Sequence, residues 1–270
     1  MVIKDGISKN SDGKYDFDYT ADLESDILKL SENESGVKTV NGLTYFYAYK
    51  FNSNANKREI KEFRTRFKHE YNNASFFYGD EVFDFVELGM LRMDKYKKLT
   101  DFDIVFMTDY GTDHDISVMS LLDSLMLEYT NGDWINVKLV KATYDNIKFD
   151  RDKAKKALMK TDKYRNEKKA EDAVRDIEIL FETNKRNGKL FKMKNYMPVI
   201  ARCGFYDFLK FDTEEHRDVF ESLANGSEAL ICDDFITSGS TVKEMERYLH
   251  SINPDVNMTV FVLVDQLREY

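Results

Sequence analysis

With 270 residues, 42% hydrophobic and 33% charged, the chain can bury a substantial core as one large domain or a domain with an elaborate insertion. A net charge of −9 argues against general nucleic-acid binding, two prolines exclude proline-rich linkers, and two cysteines (Cys203 and Cys232) exclude a disulfide framework. No apolar run is long enough to span a bilayer, and the N-terminus is polar by Lys4 and Asp5, so no secretory signal is expected and a cytoplasmic location is the default.

Residues 1–36 are rich in Asp, Ser, Asn and Gly and read as an irregular or partly ordered leader. Thr44-Tyr45-Phe46-Tyr47-Ala48-Tyr49 is dense in strand formers. Such an aromatic cluster usually means core, and stacking on a planar base is the less common use. Ile60, Phe63, Phe67 and Tyr71 fall on one helical face, and 81–98 leans towards helix. Phe102–Met107 reads as a buried strand. The loop 108–115 follows, then a helix from Ile116 to Tyr129, a turn at Asn131-Gly132 and a strand at 137–140. Residues 148–187 read as helical, with an apolar stripe of Ala170, Ala173, Val174, Ile177, Leu180 and Phe181. The stretch 189–211 suggests short strands around Pro198. Asp212 with Glu215 predicts a capped helix to about Ala224.

Residues 229–241 carry the most chemistry. The apolar run Ala229-Leu230-Ile231-Cys232 suits a buried central strand. It ends in Asp233 and Asp234, at the carboxyl end, where open α/β sheets bind ligands. Thr237-Ser238-Gly239-Ser240-Thr241 offers hydroxyls and backbone N–H groups, and Gly239 permits a conformation closed to other residues. A helix starting near Val242, with Met245, Leu249 and Ile252 on one side, adds a positive dipole end. Together these features make a phosphate cradle beside carboxylates that can bind sugar hydroxyls. A plain strand–turn–helix would explain the hydroxyls as helix caps, but not two charges at the end of an apolar strand. Asn253-Pro254 stops the helix, and Val260–Val264 reads as a last buried strand.

This segment resembles the phosphoribosyl pyrophosphate signature of the type I phosphoribosyltransferases: a hydrophobic strand, two acidic residues, two mostly apolar positions, then a hydroxyl-rich loop around glycine. The resemblance is specific over 229–241 and topological over about 102–140 and 213–264. It implies a Rossmann-like, doubly wound α/β fold with a mostly parallel sheet and a helical insertion or hood at about 148–211. Residues 101–270 would form the core, and 1–100 an additional N-terminal mixed α/β region. The implied activity is magnesium-assisted transfer of phosphoribose from 5-phosphoribosyl 1-pyrophosphate to a nitrogenous base or other small nucleophile, in nucleotide metabolism. The partners would be that substrate and a small acceptor, with neither membrane nor general nucleic acid; dimers are common among relatives, so a homodimer is an expectation. A non-catalytic binder or an interaction protein on the same fold is the alternative.

By the same resemblance, Thr237, Ser238, Gly239, Ser240 and Thr241 would hold the 5′-phosphate. Asp233 and Asp234 would serve catalysis by binding the ribose hydroxyls, directly or through magnesium, with Asp234 the preferred ligand group and one of the pair open to an inward structural role. Thr108, Asp109, Tyr110, Gly111 and Thr112 stand at the pyrophosphate-loop position. Asp109, Asp113 and Asp115 depart from the small or basic residues expected there: they would repel pyrophosphate without a metal, and can equally cap the following helix. Residues 148–194 hold 16 Lys and Arg against 9 Asp and Glu, a local +7 that fits a nucleic-acid arm, a lid over a polyphosphate or a solvated face. The resemblance favours the lid, with Lys163 and Arg165 as candidate cations beside Lys160, Lys168, Arg175 and Arg202. The four histidines, His69, His114, His216 and His250, show no zinc-like spacing with the cysteines.

Overall fold

The structure, a computed structural model, describes residues 6–9, 15–18, 28–30, 36–40, 42–51, 56–69, 81–108, 118–130 and 135–266. In chain order the elements are β1 (Gly6–Lys9), β2 (Tyr15–Asp18), β3 (Leu28–Leu30), β4 (Val37–Val40), β5 (Leu43–Phe51), α1 (Lys57–His69), α2 (Glu81–Tyr96), β6 (Ile104–Thr108), α3 (Val118–Tyr129) and β7 (Ile135–Lys141). They continue as β8 (Lys148–Phe149), α4 (Arg151–Met159), α5 (Glu167–Arg186), β9 (Phe205–Tyr206), β10 (Leu209–Phe211), α6 (Glu214–Glu221), β11 (Glu228–Ile236), α7 (Ser240–His250) and β12 (Asn257–Asp265). The architecture is α/β. No helix among the described residues is long and apolar enough to cross a membrane. Two compact units form: Met1–Asn136 with Ser227–Ile236 and Asn257–Gln266, and Val137–Gly226 with Thr237–Val256 and Leu267–Tyr270.

The first unit is built on four parallel strands in the order β6, β11, β12, β5. Strands buried on both faces read as continuous apolar runs, and Ala229–Cys232 and Phe261–Val264 have no exposed surface. Leu230, Cys232 and Phe261 join Phe63, Phe67, Phe85, Met90, Leu122 and Met126 of α1, α2 and α3 in one core. Gly89 shows how closely α2 approaches: a Cβ there would stand 2.5 Å from Leu263 Cδ1, so glycine sits in a helix interior despite its low propensity. The tyrosines of β5 are core residues, Tyr45 and Tyr49 being 1% exposed. Tyr45 donates to Asp265 Oδ1 at 2.8 Å, and Lys38 pairs with Oδ2 of the same carboxylate at 2.9 Å.

Antiparallel strands complete this unit. β4 and β3 share the edge of β5 away from β12, β3 continues to β1, and β1 to β2. In the span 1–36, expected to be irregular or partly ordered, the described residues thus include three short strands. Tyr15-Asp16-Phe17-Asp18 and Leu28-Lys29-Leu30 alternate with period two, and short antiparallel strands need little more once an edge is open to pair with.

The Asp94 carboxylate near the end of α2 accepts from Lys98 Nζ at 2.6 Å, the Leu99 amide at 3.0 Å and the Tyr129 hydroxyl of α3 at 3.2 Å. Burial pushes its pKa up, but the Lys98 ammonium, the Leu99 amide and the Tyr129 hydroxyl outweigh that, and the pKa lies below the usual carboxylate value. A depressed folded-state pKa adds stability above the unfolded carboxyl pKa and loses it as pH falls through the folded one. Asp94→Asn is therefore expected to lower the urea midpoint at pH 7 and to narrow the gap between the midpoints at pH 7 and pH 3. An unchanged gap would remove Asp94 from the acid response.

The second unit has its own aromatic core of Tyr144, Phe181, Phe191, Tyr196, Phe205 and Phe208, with the Tyr144 and Tyr196 hydroxyls 2.8 Å apart. β10 pairs antiparallel with β7, and β8 with β9. The expected helical stretch 148–187 divides, because Asp150 caps α4 through the Lys153 amide and Asn166 caps a second start, α5, through the Lys169 amide. Of the short strands expected over 189–211, β9 and β10 form at its end, while the residues flanking Pro198 are 3-10 turns at Met193–Asn195 and Val199–Gly204. The cap of α6 is Thr213, whose hydroxyl accepts from the His216 amide at 3.1 Å, and not Asp212, whose carboxylate pairs with the His216 ring. That helix ends at Glu221, short of Ala224.

Candidate functional site

β11 lies between β6 and β12, with Cys232 opposite both Met107 and Phe261 and Asp233 opposite Val262. Parallel pairing brings the carboxyl ends of all three strands to one sheet edge, where such sheets bind ligands; β11 runs on to Ile236, so the two carboxylates lie within its last four residues and not at its very end as the sequence suggested. Asp233 is partly exposed, whereas Asp234 is 2% exposed. The Asp234 amide donates to Asp233 Oδ1 at 3.0 Å, and the Phe235 amide to Asp234 Oδ1 at 2.6 Å. These bonds tie both carboxylates to the backbone of β11. The exposures make Asp233 the better placed of the pair to meet a ligand and give Asp234 the more inward position, the reverse of the sequence-based preference. Cys232, fully buried beside them, is no nucleophile: burial first, then the charges of Asp123 and Asp233, push its thiol pKa up.

The chain then passes through the hydroxyl loop into α7. Gly239 has φ 68°, in the left-handed region that favours glycine, as the sequence required. The Ser238 hydroxyl accepts from the Ser240 amide at 3.3 Å and donates to the Ser240 hydroxyl at 3.0 Å. The Lys243 amide closes the first helical turn on the Gly239 carbonyl at 2.9 Å, so α7 starts at Ser240, two residues before the expected Val242. The amides of Thr241 and Val242 belong to the first turn and have no intrahelical acceptor by position. Thr237, Ser238 and Thr241 are half-buried, while Gly239 and Ser240 are buried. Val242, Met245 and Leu249 anchor the inner face of the helix. The result is a fixed turn whose amides and hydroxyls can receive an anion.

Further along α7, Glu244 is buried and takes two bonds from the Arg247 guanidinium, each at 2.8 Å. Arg247 also pairs with Asp207, which Lys148 reaches at 2.8 Å. Asp207, at φ 58°, forms the bend between β9 and β10, so this network ties the helix to that bend.

Thr108, of the expected pyrophosphate loop, is the last residue of β6, next in the chain to the residue paired with Cys232. Asp109, Tyr110, Gly111 and Thr112 lie outside the described residues, as do Asp113, His114, Asp115 and the turn at Asn131-Gly132. Lys163 stands 5.3 Å over the Tyr164 ring, and Arg165 pairs with Asp162 at 2.8 Å, both on the turn between α4 and α5. Arg202 is committed to the Tyr196 carbonyl at 2.8 Å. Among the described residues no group of three or more His, Cys, Asp or Glu could hold a metal ion. A magnesium ion needs no such cage when substrate oxygens supply most of its ligands. Sequence reasoning passed over Lys153, Lys156 and Lys243, although the first two share a helical spacing with Lys160.

No protein-family model matches the chain, and no curated protein is detectably similar to it.

Proposed function

We propose that the β11–α7 segment binds 5-phosphoribosyl 1-pyrophosphate and that the chain is a phosphoribosyltransferase of the type I kind, moving phosphoribose to a nitrogenous base or another small nucleophile. The observation that carries this reading is a buried parallel strand, Glu228–Ile236, that holds Asp233-Asp234 in its last four residues and leads through Thr237-Ser238 to a left-handed Gly239 and a helix N-terminus. The α/β architecture and the central place of β11 support a Rossmann-like, type I arrangement.

In this reading the loop 237–241 holds the 5′-phosphate through amides and hydroxyls, aided by the α7 dipole. Asp233 orients the ribose hydroxyls, with Asp234 behind it. Breaking the anomeric bond develops oxocarbenium character on the ribose, which neighbouring carboxylates stabilise. The acceptor supplies the nucleophile, so the protein's work is orientation, charge stabilisation and exclusion of water. Magnesium, when bound, would neutralise charge on the leaving pyrophosphate, with the partly exposed Asp233 as its protein ligand. A cytoplasmic setting in nucleotide metabolism goes with this reading.

The acidic composition of 109–115 favours a second reading, a non-catalytic binder of the same ligand that regulates or scaffolds. Incubation with phosphoribosyl pyrophosphate, magnesium and a panel of purine and pyrimidine bases separates the two. Base-dependent release of pyrophosphate is the expected result. Binding without release from any base would assign the chain to the regulator class.

A further inference from the structure

α4 presents two basic faces of different character. Arg151 and Lys155 are matched by acids of α5: Arg151 meets Glu178 at 2.7 Å, and Lys155 meets Glu167 at 2.9 Å and Glu171 at 3.2 Å. Lys153, Lys156 and Lys160 follow at i, i+3 and i+7, a spacing that lines them along the helix on another face. All three are exposed, and among the described residues none forms an ion pair. Like charges at this spacing repel one another, an unfavourable arrangement that the fold itself does not require.

A fourth lysine arrives from another element. Lys243, in the first turn of α7 and two residues past Thr241, is half-buried, and burial first, then the charges of Lys153 and Lys160, lower its pKa against the opposing pull of Cys203 and Glu246. Cys203 is near a lysine of each helix: its Sγ lies 3.9 Å from the Lys153 carbonyl, and the charges of both Lys153 and Lys243 act on its thiol. The nearby acids are Asp150, which acts on the Cys203 thiol, Asp152, beside Lys153 in the chain, and Glu246, one turn along from Lys243.

We propose that Lys153, Lys156, Lys160 and Lys243 form a binding site for a short phosphate-chain anion, a di- or triphosphate. Lysine serves phosphate as a mobile point charge, so the site needs no fixed fork geometry. The line from Lys153 to Lys160 covers about 10 Å of helix at 1.5 Å per residue, which suits two or three linked phosphates and is short for a nucleic-acid strand. The site stands independently of the phosphoribosyl reading.

The test is calorimetric titration of orthophosphate, pyrophosphate and tripolyphosphate at low salt into three proteins: the unaltered chain, Lys153→Gln/Lys156→Gln/Lys160→Gln, and a control of equal charge change, Lys168→Gln/Lys169→Gln/Lys189→Gln. Glutamine keeps helix propensity at these exposed positions, and circular dichroism checks the fold. The expected order is tripolyphosphate over pyrophosphate over orthophosphate, with affinity falling at least about tenfold in the first variant and less than about twofold in the control. Asp233→Asn/Asp234→Asn should leave tripolyphosphate binding unchanged, which separates failure here from failure of the phosphoribosyl reading. No binding by the unaltered chain, an equal loss in both lysine variants, or stronger competition by a single-stranded oligonucleotide than by tripolyphosphate would each overturn the assignment.

Discussion

Asp233→Asn/Asp234→Asn is expected to bind phosphoribosyl pyrophosphate at least about a hundredfold more weakly than the unaltered chain, a loss of about 3 kcal/mol. Each hydrogen bond from a sugar hydroxyl to an ionised carboxylate contributes about 1.5–3 kcal/mol, so loss of both charges reaches that figure without any change of shape. Asparagine keeps an Oδ1 that can still accept from the Asp234 and Phe235 amides, so the local turn should survive. The single variants rank the pair: if exposure decides, Asp233→Asn carries most of the lost affinity and Asp234→Asn most of any loss in thermal stability. Equal affinity in the double variant and the unaltered chain, measured with magnesium present, would show that these carboxylates do not touch the ribose.

Phe261→Ala is the structural counterpart. Phe261 has no exposed surface, sits opposite both Cys232 and Phe46, and stacks on the Phe46 ring with centroids 5.9 Å apart. Removing such a ring from a close-packed core costs about 3–5 kcal/mol. Against the usual total of about 5–15 kcal/mol, the first unit would be brought close to unfolding. Urea denaturation followed by circular dichroism should show a large fall in midpoint. Phe83→Ala, at a position 40% exposed, should fall by a small fraction of that amount. Similar small losses for both would mean that the sheet centre is not the stabilising core of this unit.

How much of this was legible in the sequence depended on the range of the interactions involved. β6, β11 and β12 stood out because parallel strands buried on both faces must be apolar throughout. Gly239 could be placed in advance because the turn it serves is local. α1, α3 and α7 followed from their apolar periodicity, whereas the mixed signals over 81–98 gave only a leaning towards the helix α2. The pairing of β5 with β12, Phe46 opposite Phe261, joins distant parts of the chain and left no local signal. The strands β1, β2 and β3 fell in a span read as irregular or partly ordered because each is only three or four residues long. α4 and α5 merged in the sequence because their shared basic, amphipathic composition hides the turn between them. The unequal exposure of Asp233 and Asp234 also had to come from the structure, since adjacent residues of a strand point to opposite faces and composition does not say which face is covered.

The most direct test of the functional account is calorimetric titration of phosphoribosyl pyrophosphate into the unaltered protein, with and without magnesium. Saturable binding that strengthens when magnesium is added is the expected result, and it would justify the search for the acceptor base. No heat of binding under either condition would contradict the account, leave the strand–turn–helix as a purely structural element, and turn attention to protein partners.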